Sequence, residues 1–319
     1  PEHGQGAMNH APMGVGGAIL GAFGERGCLM GVEGLVVVVT GAARGMGREY
    51  VRGFLREGAK VAALDVSWAP TGVSNDEEDF GAELGSNPDA LALTVDLTID
   101  TQVKRAAEAV LQRFGTVDVL INNAGLRQRN LYPPSGAATV LETEIGDWQR
   151  MIDTHLYASL RTIKAFAPVM IEKGRGSIIN VGSGGSLGQN PATREQPYKA
   201  AKAALISMSM YLAHELKPSN VAVNVLLPGG TRSTGSDEQQ AGRAELRESL
   251  AEGEMSWTGL RVNADHVVPL ALHLAQQDAA SLTGQQILAM TWNQEHGLGG
   301  IETWGFAPDV EAARAAGRL

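Results

Sequence analysis

Tyr198 and Lys202 stand four residues apart, just after a Gly-rich run, "NVGSGGSLG", that holds Ser183 and Ser186. On a helix this spacing puts both side chains on one face. A phenol titrates near pH ~10, so it can move protons near neutrality only beside a positive charge. Lys202 can supply that charge, or hold the ribose of a cofactor nearby. A carbonyl oxygen that gains or loses electrons at its carbon also needs a second hydrogen-bond donor, and a serine suits that role. Ser183 is the preferred donor because it ends the apolar run before it, whereas Ser186 is already in the loop and stands as its competitor. Pro197 fits the first turn of a helix that begins just before Tyr198. By themselves, a Tyr and a Lys at this spacing describe any wet helix face.

A second group of residues gives the pair a context. "VVVVTGAARGMGREY" sets Gly41, Gly45 and Gly47 between an apolar strand and an amphipathic helix, with Arg44 and Met46 inside the turn. Such glycines let the backbone bend and approach a pyrophosphate, whose charge meets the N–H groups of the helix start. The next apolar run ends in Asp65, about 20 residues past the last glycine, where a carboxylate can accept from the ribose hydroxyls of NAD. It would repel the 2′-phosphate of NADP; Arg44 could neutralise that phosphate, so NAD is favoured without NADP being excluded.

The elements that position these residues are legible from periodicity. Short runs rich in β-branched residues, ending near Val39, Asp65, Asp96, Asn122, Val181, Leu226 and Ala289, alternate with helical stretches such as "GREYVRGFLREG". That alternation is the pattern of a Rossmann-like, doubly wound parallel α/β sheet of about seven strands in a single domain. Polar insertions are expected at about 68–89 and 127–141. A Gly/Ala-rich N-terminal extension covers 1–33, the nucleotide domain 34–290 with a helical lid at about 230–262, and a C-terminal extension 291–319. Trp292, Trp304 and Phe306 make that last stretch too aromatic for a free tail. Trp257, Tyr132 and Tyr157 are candidates for an aromatic pocket.

Composition limits the function classes. The chain has 319 residues, 44% hydrophobic and 19% charged, enough for a large core. A net charge of -9 without a Lys/Arg block argues against a nucleic-acid partner. The lone cysteine, Cys28, can form no internal disulfide and no metal cluster, which fits a reducing cytoplasm. No apolar run approaches the ~20 residues that span a bilayer, so no membrane partner is expected.

With TGxxxGxG at Thr40–Gly47, "NNAG" at Asn122–Gly125, "YKAAK" at Tyr198–Lys202 and "PGG" at Pro228, all in order, the chain resembles the short-chain dehydrogenase/reductase family over about Val32–Gln286. The resemblance implies a catalytic set of Ser183, Tyr198 and Lys202. It implies that Asp96 and Leu97 line an adenine pocket, and that Asn123, Ala124 and Gly125 pass the cofactor ribose. Pro228 and Gly229 would shape a nicotinamide pocket, with Ser233 or Thr234 reaching the carboxamide. His155 stands where the family carries an Asn that holds a relay water. The imidazole is expected to relay protons and to give the rate a titration in the neutral range. The implied function is NAD-dependent interconversion of a secondary alcohol and a ketone. The alternatives are a 3-hydroxyacyl-CoA dehydrogenase or 3-oxoacyl reductase, with Arg127, Arg129, Arg194 and Arg232 meeting an anionic substrate, and a non-catalytic NAD-binding sensor. The resemblance also implies a homotetramer or homodimer built on helices at about 145–172 and 197–216, with no metal.

Overall fold

Consecutive valines make β1 (Val36–Thr40) apolar on both sides, and all of its residues are buried. A strand of that kind belongs in the middle of a parallel sheet covered on both faces. The computed structural model describes residues 31–74, 76, 79–187, 194–249, 260–317 and 319. Cys28, most of the expected N-terminal extension, and Trp257 lie outside the described residues. The core begins at Val32, which is 0% exposed, so the domain starts a residue or two before the expected boundary.

Seven strands form one sheet: β1, β2 (Lys60–Asp65), β3 (Ala90–Thr94), β4 (Val119–Asn122), β5 (Gly176–Val181), β6 (Val221–Leu227) and β7 (Gln286–Leu288). Their order is β3-β2-β1-β4-β5-β6-β7, and every pair is parallel. The chain reverses its direction of travel across the sheet between β1 and β4, so the loops after those strands part and leave a crevice at their C-terminal ends. β3 stops at Thr94, short of the expected Asp96. Asp96 has left the ladder because its carboxylate accepts from Thr98 N (2.9 Å) and Thr98 Oγ1 (2.7 Å).

One face of the sheet is covered by α1 (Gly45–Arg56) and α8 (Val268–Ala275), through Tyr50, Val51, Phe54, Leu270 and Leu274. α3 (Asp100–Phe114), α5 (Ala158–Lys173) and α6 (Gln196–Leu216) cover the other through Val103, Val110, Phe166, Met170 and Leu216. α2 (Phe80–Gly85) lies within the first insertion, and α4 (Ile145–Ile152) runs through a π-helical turn, Asp153–Tyr157, into α5. A buried polar chain crosses this second face. Thr162 Oγ1 donates to Asn122 Oδ1 (2.6 Å), Asn122 Nδ2 to Asn180 Oδ1 (2.8 Å), and Asn180 Nδ2 to Ser209 Oγ (2.8 Å). It ties α5, β4, β5 and α6 in one register, since each unpaired member would carry a desolvation cost.

After β6 comes α7 (Ser236–Ser249), within the expected lid segment. The tail folds as α9 (Ala289–Glu295), α10 (Ile301–Trp304) and α11 (Ala307–Ala315). As its aromatic content required, it packs. Trp292 is buried and stacks on His296 at 4.1 Å, and Trp304 Nε1 donates to Leu298 O (3.0 Å). Phe306 lies under the guanidinium groups of Arg232 (4.2 Å) and Arg261 (4.9 Å). Arg261 grips Asp309 with Nε (2.7 Å) and Nη2 (2.9 Å), and also reaches Asp237 at the start of α7. The tail therefore anchors the base of α7. Among the described residues, no helix is long and apolar enough to cross a membrane. Replacing Asp309 with Ala should lower stability by ~2 kcal/mol, as expected for losing hydrogen bonds to a charged group, in a urea titration followed by circular dichroism.

Candidate active site

A cleft of about 960 Å³ opens at the crevice between β1 and β4. Its floor is made by backbone in conformations that a Cβ would not permit. Gly41 and Gly45 have φ of 64° and 51°, in the left-handed region. A Cβ on Gly41 would lie 2.7 Å from Ala124 Cα, and one on Gly47 would lie 1.9 Å from Gly41 O. Asn123 locks this turn to the end of β4, donating from Nδ2 to Thr40 O and Gly41 O (both 3.0 Å). Thr40 Oγ1 in turn accepts from Asn123 N (3.0 Å) and Ala124 N (3.1 Å). No side chain caps the start of α1, so its first N–H groups face the cleft without an intrahelical partner. That cradle suits a phosphate anion.

Asp65 lines the cleft at the end of β2, with Oδ2 accepting from Ala43 N (2.9 Å) and Oδ1 from Ser67 N (3.2 Å). Gly41, Arg44, Gly45, Met46, Asp96, Leu97, Asn123, Ala124, Gly125 and Pro228 line it too. Three expected cofactor residues do not. Gly47 sits beneath the turn, Gly229 is set back from the cleft, and Ser233 donates its hydroxyl to Thr231 O (3.3 Å). Thr234 lines the cleft in place of Ser233, because the turn into α7 points residue 233 inward. Arg44 is not available for a phosphate as expected. Its Nε lies 2.8 Å from Asp76 Oδ2, an ion-pair distance although the N–H is not aimed at the oxygen, and Nη2 donates to Ala69 O (2.7 Å).

At the other end of the cleft, α6 begins at Gln196 and brings Tyr198 and Lys202 to the wall. Ser183 and Tyr198 meet around Lys199, and the serine hydroxyl acts to lower the pKa of the phenol, while Ser186 is buried with its hydroxyl unpartnered among the described residues. The geometry thus favours Ser183 over its competitor. Lys202 donates to Val181 O (2.6 Å), and burial lowers its pKa to about 8. Burial, then the Glu195 carboxylate, push Tyr198 above its usual range; the Ser183 hydrogen bond and the Arg127 guanidinium oppose them. Lys202 thus spends one donor on Val181 O of β5, and the Arg127 guanidinium is a further cation acting on the phenol.

His155 comes from the π-helical turn and packs edge-on to Tyr198, ring centres 5.2 Å apart. Its Nε2 lies 2.7 Å from Leu126 O, and since a carbonyl only accepts, that nitrogen carries the proton. Nδ1 is then a bare acceptor, buried without a partner among the described residues. Burial, then the Lys202 charge, hold the imidazole well below its ordinary pKa. The expected titration in the neutral range is therefore overturned: this histidine stays neutral there. Gly125 makes the room, since a Cβ on it would lie 2.1 Å from His155 Cε1.

The local sequence did not point to Glu195, Lys199, Gln128 or Arg243, which also meet at this mouth. Gln128 Oε1 accepts from Tyr198 N (3.3 Å), and Lys199 Nζ lies 3.4 Å from Ser183 Oγ and 5.5 Å from the Tyr198 ring centre. Glu195, three residues before Tyr198 on the same helix start, had a readable signal in that spacing. Arg243 had none. Of the aromatic pocket candidates, Tyr132 instead donates to Asp147 Oδ2 (2.5 Å), and Tyr157 is exposed on the outer face. No group of three or more His, Cys, Asp and Glu side chains among the described residues could hold a metal.

His155 and His266, the latter lowered to about 4 mainly by burial, both stay neutral in the fold although each would titrate near 6.5 unfolded. Unfolded chains then bind more protons on acidification, so stability is fully present above pH ~6.5 and declines as pH falls toward 4. Urea midpoints between pH 7 and 4 should follow that slope, and His266→Gln should flatten it. His155→Asn should remove no titration between pH 6 and 8 from the rate profile (~one step at most would be expected of a titrating His).

The model of the short chain dehydrogenase family matches residues 35–244. Fluoren-9-ol dehydrogenase of Terrabacter sp. (strain DBF63) is 38% identical over 292 residues, covering 88% of this chain and 78% of that protein. The 3-oxoacyl-[acyl-carrier-protein] reductase of Escherichia coli (strain K12) is 31% identical, covering 81% of this chain and 96% of its own. A crystal structure of a 3-ketoacyl-(acyl-carrier-protein) reductase from Brucella melitensis, complexed with NADH, shares the fold with a TM-score of 0.66 at 24% identity, over 81% of this chain and 97% of that one. From the glycine turn to the tyrosine helix, the chain belongs to the short-chain dehydrogenase/reductase family of oxidoreductases.

Proposed function

We propose that the protein is an NAD-dependent oxidoreductase that interconverts a secondary alcohol and a ketone. The observation that carries this reading is the convergence of two independent groups on one cleft: the uncapped glycine turn with Asp65, and Tyr198 with Lys202 on one helix face, Ser183 standing next to them. A bound nicotinamide would supply the acceptor or donor for the hydride. In alcohol oxidation, the Tyr198 phenolate accepts the hydroxyl proton as the hydride leaves the adjacent carbon. Ser183 donates to the substrate oxygen and holds it beside the phenol. Lys202 lies within reach of a cofactor ribose. His155, neutral and with Nε2 committed to Leu126 O, is better suited to hold a water or the Lys202 ammonium at Nδ1 than to change charge during turnover. Asp96, Leu97, Asn123, Ala124, Gly125, Pro228 and Thr234 complete the cofactor cradle.

The nicotinamide assignment is supported by the family and by the NADH in the Brucella melitensis relative. NAD is favoured over NADP by the Asp65 carboxylate and by the engagement of Arg44 with Asp76. The fluoren-9-ol dehydrogenase relative makes ring-fused secondary alcohols the first substrates to try. The 3-oxoacyl reductases favour a second reading, 3-oxoacyl or 3-hydroxyacyl thioesters, for which Arg127, Arg129 and Arg150 in the cleft wall offer cations. A homodimer or homotetramer is expected to use α5 and α6, where Tyr157, Leu160 and Tyr211 are exposed, Tyr211 by 79%. A cytoplasmic setting is the simplest for such an enzyme.

Incubation with NAD and fluoren-9-ol should raise the absorbance of reduced nicotinamide, faster than with NADP, and Tyr198→Phe should lower kcat by ~10²–10⁴. Oxidation confined to 3-hydroxyacyl thioesters would support the second reading. Binding of NAD without turnover in either direction across both substrate classes would overturn the enzymatic reading in favour of a sensor.

A further inference from the structure

The Tyr198 phenol faces an unusual number of charges. From its own helix come Glu195, Lys199 and Lys202; from the segment after β4, Arg127; from the π-helical turn, the neutral His155; and from the loop after β5, the uncharged Ser183. Among the described residues, Glu195 is the carboxylate whose charge acts on the phenol, and it is held from outside by α7. Arg243, 6% exposed, places Nη2 2.5 Å from Glu195 Oε1 and donates from Nε to Ser135 O (3.0 Å). Lys199 Nζ lies 3.9 Å from the other Glu195 oxygen and 3.4 Å from Ser183 Oγ. A continuous series of contacts thus runs from α7 to the serine and tyrosine: Arg243, Glu195, Lys199, Ser183, Tyr198.

Toward its start α7 is held both by the buried Arg261, which reaches Ser236 and Asp237, and by exposed contacts. Ser74 donates from N (3.1 Å) and Oγ (2.8 Å) to Glu238, and Gly235 N donates to Ser74 O (2.9 Å). Arg243–Glu195 is enclosed as well, so loss of the pair would change the local field appreciably.

We propose that the Arg243–Glu195 ion pair sets the acid/base state of Tyr198, with Arg243 as a positioning residue that acts through Glu195. Paired, the guanidinium offsets part of the Glu195 charge, and what remains works against Arg127 at the phenol. Without Arg243, the carboxylate stands uncompensated three residues from Tyr198, holds the proton on the phenol more strongly and draws Lys199 away from Ser183. The proposal rests on Tyr198 being the acid/base of the function proposed above.

The test is the pH dependence of kcat/KM for alcohol oxidation, with melting temperature and NAD binding measured alongside. Arg243→Ala should move the rising limb to higher pH by ~0.5 unit or more, because an unpaired carboxylate disfavours a nearby phenolate. Glu195→Gln should move it to lower pH, Arg243→Lys should restore most of the wild-type profile, and the double variant Arg243→Ala/Glu195→Gln should return the limb close to wild type. Folded variants that bind NAD but leave the limb in place, or a Glu195→Gln shift in the same direction as Arg243→Ala, would overturn the coupling. If Arg243→Ala fails to fold, the Glu195→Gln and Arg243→Lys profiles decide. If Tyr198→Phe still turns over, the acid/base reading fails instead; the coupling is then scored by the absorbance titration of the Tyr198 phenol, taken as the difference between parent and Tyr198→Phe, which needs no turnover.

Discussion

The site depends on the junction between the ends of β1 and β4. There the backbone of the glycine turn passes so close to Ala124 and to its own helix that Gly41 and Gly47 have no room for a side chain. Thr40 and Asn123 exchange hydrogen bonds across the gap, so the turn is held by the neighbouring strand rather than by its own loop. This junction lies at the point where the sheet changes direction, which is why a crevice exists there at all. The cradle for a dinucleotide and the floor under the tyrosine helix are consequently built on one rigid support.

From that support follows the electrostatic character of the catalytic end. Lys202 and His155 are buried and Tyr198 is half-buried, and burial shifts each toward its neutral form. In such surroundings charges act over short distances with little screening. The placement of Arg127, Glu195 and Lys199 therefore matters more than the formal count of acids and bases. The π-helical turn contributes by setting His155 under Gly125 with one nitrogen tied to Leu126 O, which fixes the tautomer.

Around this centre the chain adds three surfaces of its own: the insertion that carries Arg44's partner Asp76, the helix α7, and the aromatic tail. They are joined to one another. Ser74 meets Glu238, Arg261 bridges Asp237 and Asp309, and Phe306 lies under Arg232 and Arg261. The tail thus supports the base of the helix whose Arg243 reaches Glu195, three residues before the tyrosine.

The sequence by itself determined the sheet, the glycine turn, the acidic strand end and the Tyr198–Lys202 face, because each is written in short-range periodicity or spacing that local backbone geometry converts directly into position. It also foretold that the tail would pack, from its tryptophans. Only the tertiary structure decided that Ser183 and Tyr198 meet around Lys199, that Thr234 rather than Ser233 faces the cleft, that Arg44 is occupied, that burial holds His155 well below its ordinary pKa, and that Arg127 and Glu195 add their charges at Tyr198. Those outcomes depend on burial and on pairs such as Arg243–Glu195 that are distant along the chain. Their geometry comes from how helices and loops pack, and no local pattern encodes it.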